Sequence, residues 1–117
     1  MSESMNYIDF ETALKRIGGN EVLYKKLLTI FLNDINIENL YTAIDNGDLT
    51  EVAATAHTIK GVAANLALTN LQNITTAIDI DAKAGLDCKS YITQLQEIYK
   101  KTVELINSYI QGNYYNE

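Results

Sequence analysis

The chain has 117 residues, 47% of them hydrophobic, which is enough for one core and too few for two ordinary domains, so residues 1–117 are expected to form a single domain. Its formal net charge of −6 argues against binding to nucleic acid or anionic lipid, since both need clustered Lys and Arg. It has one cysteine, no N-terminal secretion-signal pattern and no run of roughly 18 apolar residues, so we expect a cytoplasmic chain with protein partners and no membrane insertion.

The chain contains no proline, and its six glycines fall mostly where the apolar periodicity breaks, which predicts helices joined by short turns. The first helix is short and is expected to run from Phe10 to Ile17, with Asp9 as its N-cap. Gly18 and Gly19 follow and are expected to end it.

A long second helix and a third helix are predicted in the next part of the chain. Asn20 is expected to cap the second helix, whose broad apolar stripe continues for about 26 residues until Asn46 and Gly47 stop it. Asp48, with Glu51 three residues later, forms a capping-box pattern at the start of the third helix.

Two further helices complete the predicted set. Thr69 and Gln72 repeat the capping-box pattern, and Gly85 is well placed to end the fourth helix. Asp87 is expected to open a fifth helix, whose apolar residues alternate at spacings of four and three as in antiparallel bundles, and Gly112 ends it. The expected fold is therefore all-α: an antiparallel four-helix bundle with one additional short N-terminal helix.

The only histidine, His57, lies on the third helix but away from its apolar side. That side is a seam with alternating spacings of three and four residues, formed by Leu49, Val52, Ala56, Ile59, Ala63 and Leu66. At about 100° per residue, His57 points about 130° away from the seam, so its imidazole is expected to face solvent. Lys60 borders the same sector, which we call the histidine face and which consists of His57 and the small residues Thr50, Ala53, Ala54, Gly61 and Ala64.

Gly61 is the informative residue of the histidine face. A glycine in a helix interior costs about 1 kcal/mol relative to alanine, and a solvent-facing glycine gains no packing within its own domain in return. The space beside His57 is therefore expected to serve another protein, whose backbone or reactive group approaches the imidazole. Lys60, three residues after His57, is close enough to attract negative charge that develops on the ring. Together these residues indicate a histidine that accepts a phosphoryl group.

Each of these residues also has an ordinary structural interpretation. A lone histidine or lysine on a helix commonly has no chemical role, and small residues are common on helices because alanine has the best propensity. A metal-binding bundle would need several inward histidines, and nothing in the sequence brings Cys88 beside His57 to make a thiol enzyme. The alternative that stays open is a helical module that docks a protein partner through this face without carrying phosphate.

The segment AHTIKGVAANL resembles the signature of histidine-containing phosphotransfer (HPt) domains, in which the acceptor histidine is followed by an aliphatic residue, Lys, Gly and a small residue. In this chain the matching positions are His57, Ile59, Lys60, Gly61 and Ala63. The resemblance extends over nearly the whole chain, because ALKRIGGNEVLYKKLLTIFL and AIDNGDLTEVAATAH are similar to the segments that precede the histidine in bacterial HPt domains, especially those attached to hybrid sensor kinases.

One position departs from the family pattern. Ala67 stands in the turn between the third and fourth helices, where the family usually has glycine. A left-handed residue is normally needed in such a turn, and Asn65 is a residue that could supply it. This departure does not touch the acceptor histidine.

The resemblance implies a phosphoryl carrier without ATP-dependent kinase activity of its own, and the sequence has neither a GxxxxGK[ST] loop nor a kinase-type glycine-rich loop. His57 would be the phosphoryl acceptor, Lys60 its electrostatic support and Gly61 the steric clearance. The phosphoryl group would come from an aspartyl phosphate on one response-regulator receiver domain and pass to an aspartate on another. No cofactor is expected on this chain, since the receiver domain would bring the Mg²⁺.

The implied partners are receiver domains, and the rest of the histidine face (Thr50, Ala53, Ala54 and Ala64) would help to dock them. We expect a cytoplasmic monomer, either free-standing or the cytoplasmic module of a membrane-bound hybrid sensor kinase. The alternative to a phosphoryl carrier is a docking module that binds receiver domains or similar partners without being phosphorylated. Replacing His57 would then leave binding intact.

Overall fold

The computed structural model describes residues 7–112, and every regular element within that range is helical. The bundle helices are α1 (Phe10–Arg16), α2 (Glu21–Leu32), α3 (Asn36–Asn46), α4 (Leu49–Leu66), α5 (Thr69–Lys83) and α6 (Ile92–Ile110), and a short 3₁₀ turn at Lys89–Tyr91 precedes α6. This is the all-α bundle with a short leading helix that was expected. The buried apolar residues form one core. The prediction of a single domain over residues 1–117 also covers 1–6 and 113–117, which lie outside the described range.

The predicted long second helix is wrong, because the chain breaks between α2 and α3. Asn33 ends α2, and Asp34 Oδ1 accepts a hydrogen bond of 2.9 Å from the backbone N–H of Asn36. A short polar side chain that bonds the backbone two residues on competes with helical hydrogen bonding. The break also aligns the two pieces, since Phe31 and Ile37 are both buried although a spacing of six would place them on different sides of one continuous helix.

Side-chain caps begin three of the helices as predicted. Asp9, Asn20 and Asp48 each accept a hydrogen bond from the backbone N–H three residues later, at 3.0 to 3.2 Å. The predicted cap at Thr69 is wrong, because Thr69 is already the first residue of α5 and Leu68 occupies the cap position without a side-chain hydrogen bond. The turn before α5 leaves only two residues between the helices, so no polar residue is available there.

That two-residue turn contains the one non-glycine residue with positive φ in the described range. Ala67 has φ 58° and ψ 39°, and it is buried. Asn65, proposed above as the left-handed residue, lies inside α4 instead. The backbone N–H of Leu68 donates to the Ala63 carbonyl at 2.8 Å, which satisfies the end of α4 in the manner of a glycine-containing cap.

The C-terminal end of α4 is held by the first part of the chain. The backbone N–H of Asp9 donates to the Ala67 carbonyl at 2.9 Å, and the Tyr24 hydroxyl donates to the Leu66 carbonyl at 2.9 Å. The Arg16 guanidinium donates to the Ala64 carbonyl. Carbonyls in the last turn of a helix have no partner within the helix, so these three contacts fix the end of α4 against α1 and α2.

The entry into α6 contains the single cysteine. Gly85 follows α5 with φ 80°, as predicted for its end. The predicted start of the last helix at Asp87 is wrong, because the 3₁₀ turn follows Cys88 and α6 begins only at Ile92. Asp87 Oδ1 instead accepts from the backbone N–H of Lys89 at 3.4 Å. Cys88 is buried, and burial raises the pKa of its thiol. A buried thiol with a raised pKa is a poor nucleophile, which agrees with a structural role for Cys88.

Candidate functional site

α4 presents His57 to solvent. Five of the six seam residues named above are buried, and Leu49 is half-buried, as the spacing predicted. The His57 side chain remains 64% exposed on the opposite side of the helix. The helix packs mainly against α5 and α3, so its remaining side carries the imidazole at the bundle surface.

Gly61 leaves open space beside His57. A Cβ atom added at Gly61 would meet no other atom within 4 Å, apart from the backbone of its own helix. The internal packing of the bundle therefore does not require glycine at this position. The conformational cost of a glycine in the middle of α4 has no compensation within the described part of the chain.

The rest of the histidine face divides into exposed and covered parts. Thr50 and Ala54 are exposed and Ala64 is half-buried. Ala53 retains only 9% of its surface, and it lines a shallow groove together with Ala82 and Lys83 of α5. Ala53 is therefore much less exposed than the helical projection predicted, and its part in a docking surface stays a prediction.

The sequence reasoning missed the residue that contacts His57 from the neighbouring helix. Asp79 of α5 is only 3% exposed, and its Oδ2 atom lies 3.4 Å from His57 Nδ1. The same oxygen lies 3.4 Å from Lys60 Nζ and 3.4 Å from Lys83 Nζ. The Oδ1 atom lies 3.2 Å from Lys83 Nζ as an ion pair but has no hydrogen-bond partner among the described residues.

One signal in the sequence could have identified Asp79. Leu71, Thr75 and Asp79 follow one another at spacings of four, and the first two are fully buried. A carboxylate at the next position of a buried row has to find a cationic or hydrogen-bonding partner, because an unpaired buried charge is costly. That argument predicts a polar contact for Asp79, although it does not say with which helix.

Asp79 is an ionised acceptor. Burial alone would raise the pKa of its carboxyl group, but hydrogen bonds from Lys83, His57 and Lys60, together with the charge of Lys83, outweigh burial and lower the pKa below its ordinary value of 3.8. The group is therefore a carboxylate at neutral pH. A carboxylate can only accept hydrogen bonds.

This acceptor determines which nitrogen of the neutral imidazole is free. Because Asp79 can only accept, a neutral His57 bonds to it through a protonated Nδ1, and the contact of 3.4 Å is at the long end of the hydrogen-bond range. The lone pair then resides on Nε2. The partner of one ring nitrogen commonly sets the state of the other in this way.

The ammonium group of Lys60 contacts Asp79 and shares its Oδ2 atom with the imidazole of His57. The Lys60 side chain is 30% exposed, and it is a flexible four-carbon chain. Its role as electrostatic support for His57 stays a prediction.

A shallow apolar groove lies between α2 and the C-terminal half of α4. It is lined mainly by Leu27, Ile30 and Phe31 of α2 and by Val62 and Leu66 of α4. The Ile30 side chain is exposed over 58% of its surface. Exposed apolar surface of this kind is a candidate protein-binding region.

The described residues 7–112 hold no group of three or more His, Cys, Asp or Glu residues that could bind a metal ion. Lys60 and Lys83 instead supply the positive charge around the carboxylate of Asp79. The charge at this site is thus carried by side chains of α4 and α5.

Comparison with protein families identifies this helical unit. The family model described as Hpt domain matches residues 26–104, which is more than half of the chain and includes His57, Lys60, Gly61 and Asp79. Comparisons with curated proteins and with solved structures found no match. Members of the matched family are phosphotransfer carriers in phosphorelays and not kinases. The chain belongs to the Hpt domain family and has a histidine-phosphotransfer role.

Proposed function

We propose that His57 accepts a phosphoryl group from an aspartyl phosphate on a receiver domain and passes it to the aspartate of another receiver domain. The observation that carries this proposal is the hydrogen bond between His57 Nδ1 and the buried carboxylate of Asp79. It leaves the Nε2 lone pair of a 64% exposed imidazole directed away from the bundle. A positioned, neutral imidazole is a competent nucleophile for phosphoryl transfer.

In the accepting step the Nε2 lone pair attacks the phosphorus of the aspartyl phosphate. The bond between phosphorus and the aspartyl oxygen breaks, and the carboxylate leaves with that electron pair. The ring keeps its proton on Nδ1 and becomes positively charged as the N–P bond forms. Asp79 stabilises this charge, since a hydrogen bond between an ionised donor and an ionised acceptor is stronger than a neutral one.

The return step reverses these changes. An aspartyl carboxylate of the second receiver attacks the phosphorus, the N–P bond breaks, and Nε2 recovers its lone pair. The transition state is loose, so catalysis depends mostly on positioning and charge neutralisation. This chain supplies the nucleophile and the surrounding lysines, and the receiver domain is expected to supply Mg²⁺ and the acidic pocket.

The surface around His57 supports a receiver domain as the partner. Open space at Gly61 would allow the partner's backbone to approach the ring. The apolar groove that contains Ile30 would extend the contact beyond the reactive residue. A receiver that covers His57 would therefore bury both features.

One labelling experiment distinguishes a phosphoryl carrier from a docking module that is not phosphorylated. The purified chain is mixed with a receiver domain carrying labelled phosphate and with Mg²⁺, beside a His57→Gln variant. The proposal expects label on the native chain alone, lost in acid and retained in base, as a phosphoramidate requires. Measurable receiver binding without label on the native chain would support the docking-module alternative.

The cellular setting stays a prediction. None of the helices within residues 7–112 is long and apolar enough to cross a membrane. We propose a cytoplasmic monomer, either free-standing or part of a hybrid sensor kinase. The molecular mass of the purified chain in solution, measured by light scattering, tests the monomer.

A further inference from the structure

The buried carboxylate of Asp79 has two lysine partners in addition to His57. Its Oδ2 atom is shared by His57, Lys60 and Lys83, all at 3.4 Å. Its Oδ1 atom lies 3.2 Å from Lys83 alone. The carboxylate is almost fully buried, so it needs at least one compensating cation in every state of the site.

The two lysines approach this carboxylate from different directions. Lys60 comes from α4, three residues after His57 and beside Gly61. Lys83 comes from α5, one turn after Asp79, and it lines a groove with Thr50 and Ala53 near the start of α4. Lys60 is therefore the lysine on the Gly61 side of the histidine, and Lys83 lies toward the other end of α4.

Phosphorylation of His57 would place new negative charge near the ammonium groups of Lys60 and Lys83. A phosphoryl group on Nε2 carries about two negative charges and three acceptor oxygens, and it would lie outside the bundle next to Lys60. If Lys60 swings to it, Asp79 keeps the positively charged phosphohistidine ring beside Oδ2 but loses one of its two lysines. Lys83 already contacts both carboxylate oxygens, so it can hold the charge of Asp79 without moving.

We propose that Lys83 is a positioning residue which holds the charge of Asp79 and so frees Lys60 to bind the phosphoryl group on His57. This inference rests on the proposed function. Lys83 acts through Asp79 and does not contact the phosphoryl group itself. The titratable and charged groups of the described structure that contact Asp79 are His57 and Lys60 from α4 and Lys83 from its own helix.

The experiment measures the equilibrium ratio of phosphorylated chain to phosphorylated receiver, reached from both directions, for the wild type and for Lys83→Gln. The matched control is Lys15→Gln, because Lys15 forms an exposed i, i+4 pair with Glu11 at 3.3 Å on α1. Lys83→Gln is expected to shift the ratio several-fold away from the histidine, and Lys15→Gln to leave it unchanged. Lys83→Arg retains the charge and is expected to restore the ratio.

A second pair of variants tests whether Lys83 works through Lys60. In the Lys60→Ala background there is no Lys60 side chain for Lys83 to free. Adding Lys83→Gln is therefore expected to cause no further shift of the ratio away from the histidine, so the two single effects are not additive. Additive effects would overturn the proposal, because they would mean that Lys83 contacts the phosphoryl group or the receiver independently.

The controls separate this inference from the proposed function. A wild-type chain that takes no acid-labile label refutes the phosphocarrier itself. A wild-type chain that is labelled, with Lys83→Gln behaving like Lys15→Gln, refutes only the role of Lys83. Thermal unfolding of the unphosphorylated variants is expected to show cooperative transitions, since the Lys83 side chain is 62% exposed.

Discussion

Asp79 on α5 holds a buried carboxylate oxygen 3.4 Å from Nδ1 of His57 on α4. This contact joins the two helices that form the most extensive pair in the bundle. Because the pairing of α4 and α5 is fixed by the two-residue turn between them, the orientation of the histidine ring depends on the fold and not on its helix alone.

Replacing Asp79 should slow phosphoryl acceptance. Asp79→Ala removes the acceptor that keeps the proton on Nδ1 of His57. We expect the transfer rate to fall on the order of tenfold or more, as is typical when a residue that orients a functional histidine through a hydrogen bond is removed. Asp79→Asn keeps an acceptor oxygen but not the charge, so its loss should be smaller. Single-turnover transfer and ¹⁵N NMR of the ring measure the rate and the tautomer. Asp45→Asn, at an exposed position, is the control. A wild-type transfer rate in Asp79→Ala would contradict the proposal that Asp79 orients the His57 ring.

The same carboxylate should contribute a pH-dependent part of stability. The pKa of Asp79 in the folded chain is lower than its ordinary value of 3.8, so its contribution is fully present above that value and is lost as pH falls through the folded pKa. The difference in free energy of unfolding between wild type and Asp79→Asn should shrink as pH falls below about 4. Urea unfolding over a series of pH values measures it. A difference that stays constant down to about pH 3 would exclude the lowered pKa.

Gly61 should show opposite effects on stability and on transfer. Nothing in the structure obstructs a side chain there, so Gly61→Ala and Gly61→Gln should each stabilise the helix by up to about 1 kcal/mol. Gly61→Gln should nevertheless slow transfer strongly, because the side chain occupies the partner's approach, and Gly61→Ala should slow it less. Circular dichroism, thermal unfolding and transfer kinetics are the measurements. An unchanged transfer rate in Gly61→Gln would refute the proposal that Gly61 leaves space for the partner to approach His57.

Ala67→Gly should stabilise the fold without affecting transfer. Ala67 adopts a left-handed conformation with φ 58°, which costs a residue with a Cβ atom about 1 kcal/mol and costs glycine little. We therefore expect a gain of about 1 kcal/mol or slightly less in the free energy of unfolding. Urea unfolding at neutral pH measures the gain. A loss of stability would show that the buried methyl group of Ala67 contributes more than the strain costs.

Ile30 should matter for receiver docking. Placing a charge in the apolar groove with Ile30→Glu should raise the receiver concentration needed for half-maximal transfer by about tenfold, because a buried charge in the complex would lack a partner. Ile35→Glu is the matched control, since Ile35 is 64% exposed and does not line the groove. Transfer titrated against receiver concentration measures the effect. Equal behaviour of the two variants would place the docking surface elsewhere.

Local sequence patterns predicted those features that depend on a single helix. The caps at Asp9, Asn20 and Asp48, the buried seam of α4 and the exposure of His57 all follow from spacing and side-chain chemistry. The resemblance added the family, which the match over residues 26–104 confirms.

The features that sequence reasoning missed depend on how two helices meet. Asp79 follows His57 by 22 positions, and only the packing of α5 on α4 brings them together. Ala53 lies close to His57 on a helical projection, yet only 9% of its surface is exposed, because a projection gives direction but not the width of the neighbouring helix. The break between α2 and α3 at Asp34 could not be seen in the hydrophobic pattern, because the apolar stripe continues across it.

The contacts at the end of α4 also bear on where this domain can be cut. Asp9, Arg16 and Tyr24 donate hydrogen bonds to the carbonyls of Ala67, Ala64 and Leu66, yet all three donors precede residue 26, where the family match begins. A fragment trimmed to the matched region would lose all three of these donors at the end of the helix that carries His57. We therefore expect the smallest stable fragment of this domain to begin upstream of the matched region, at or before Asp9.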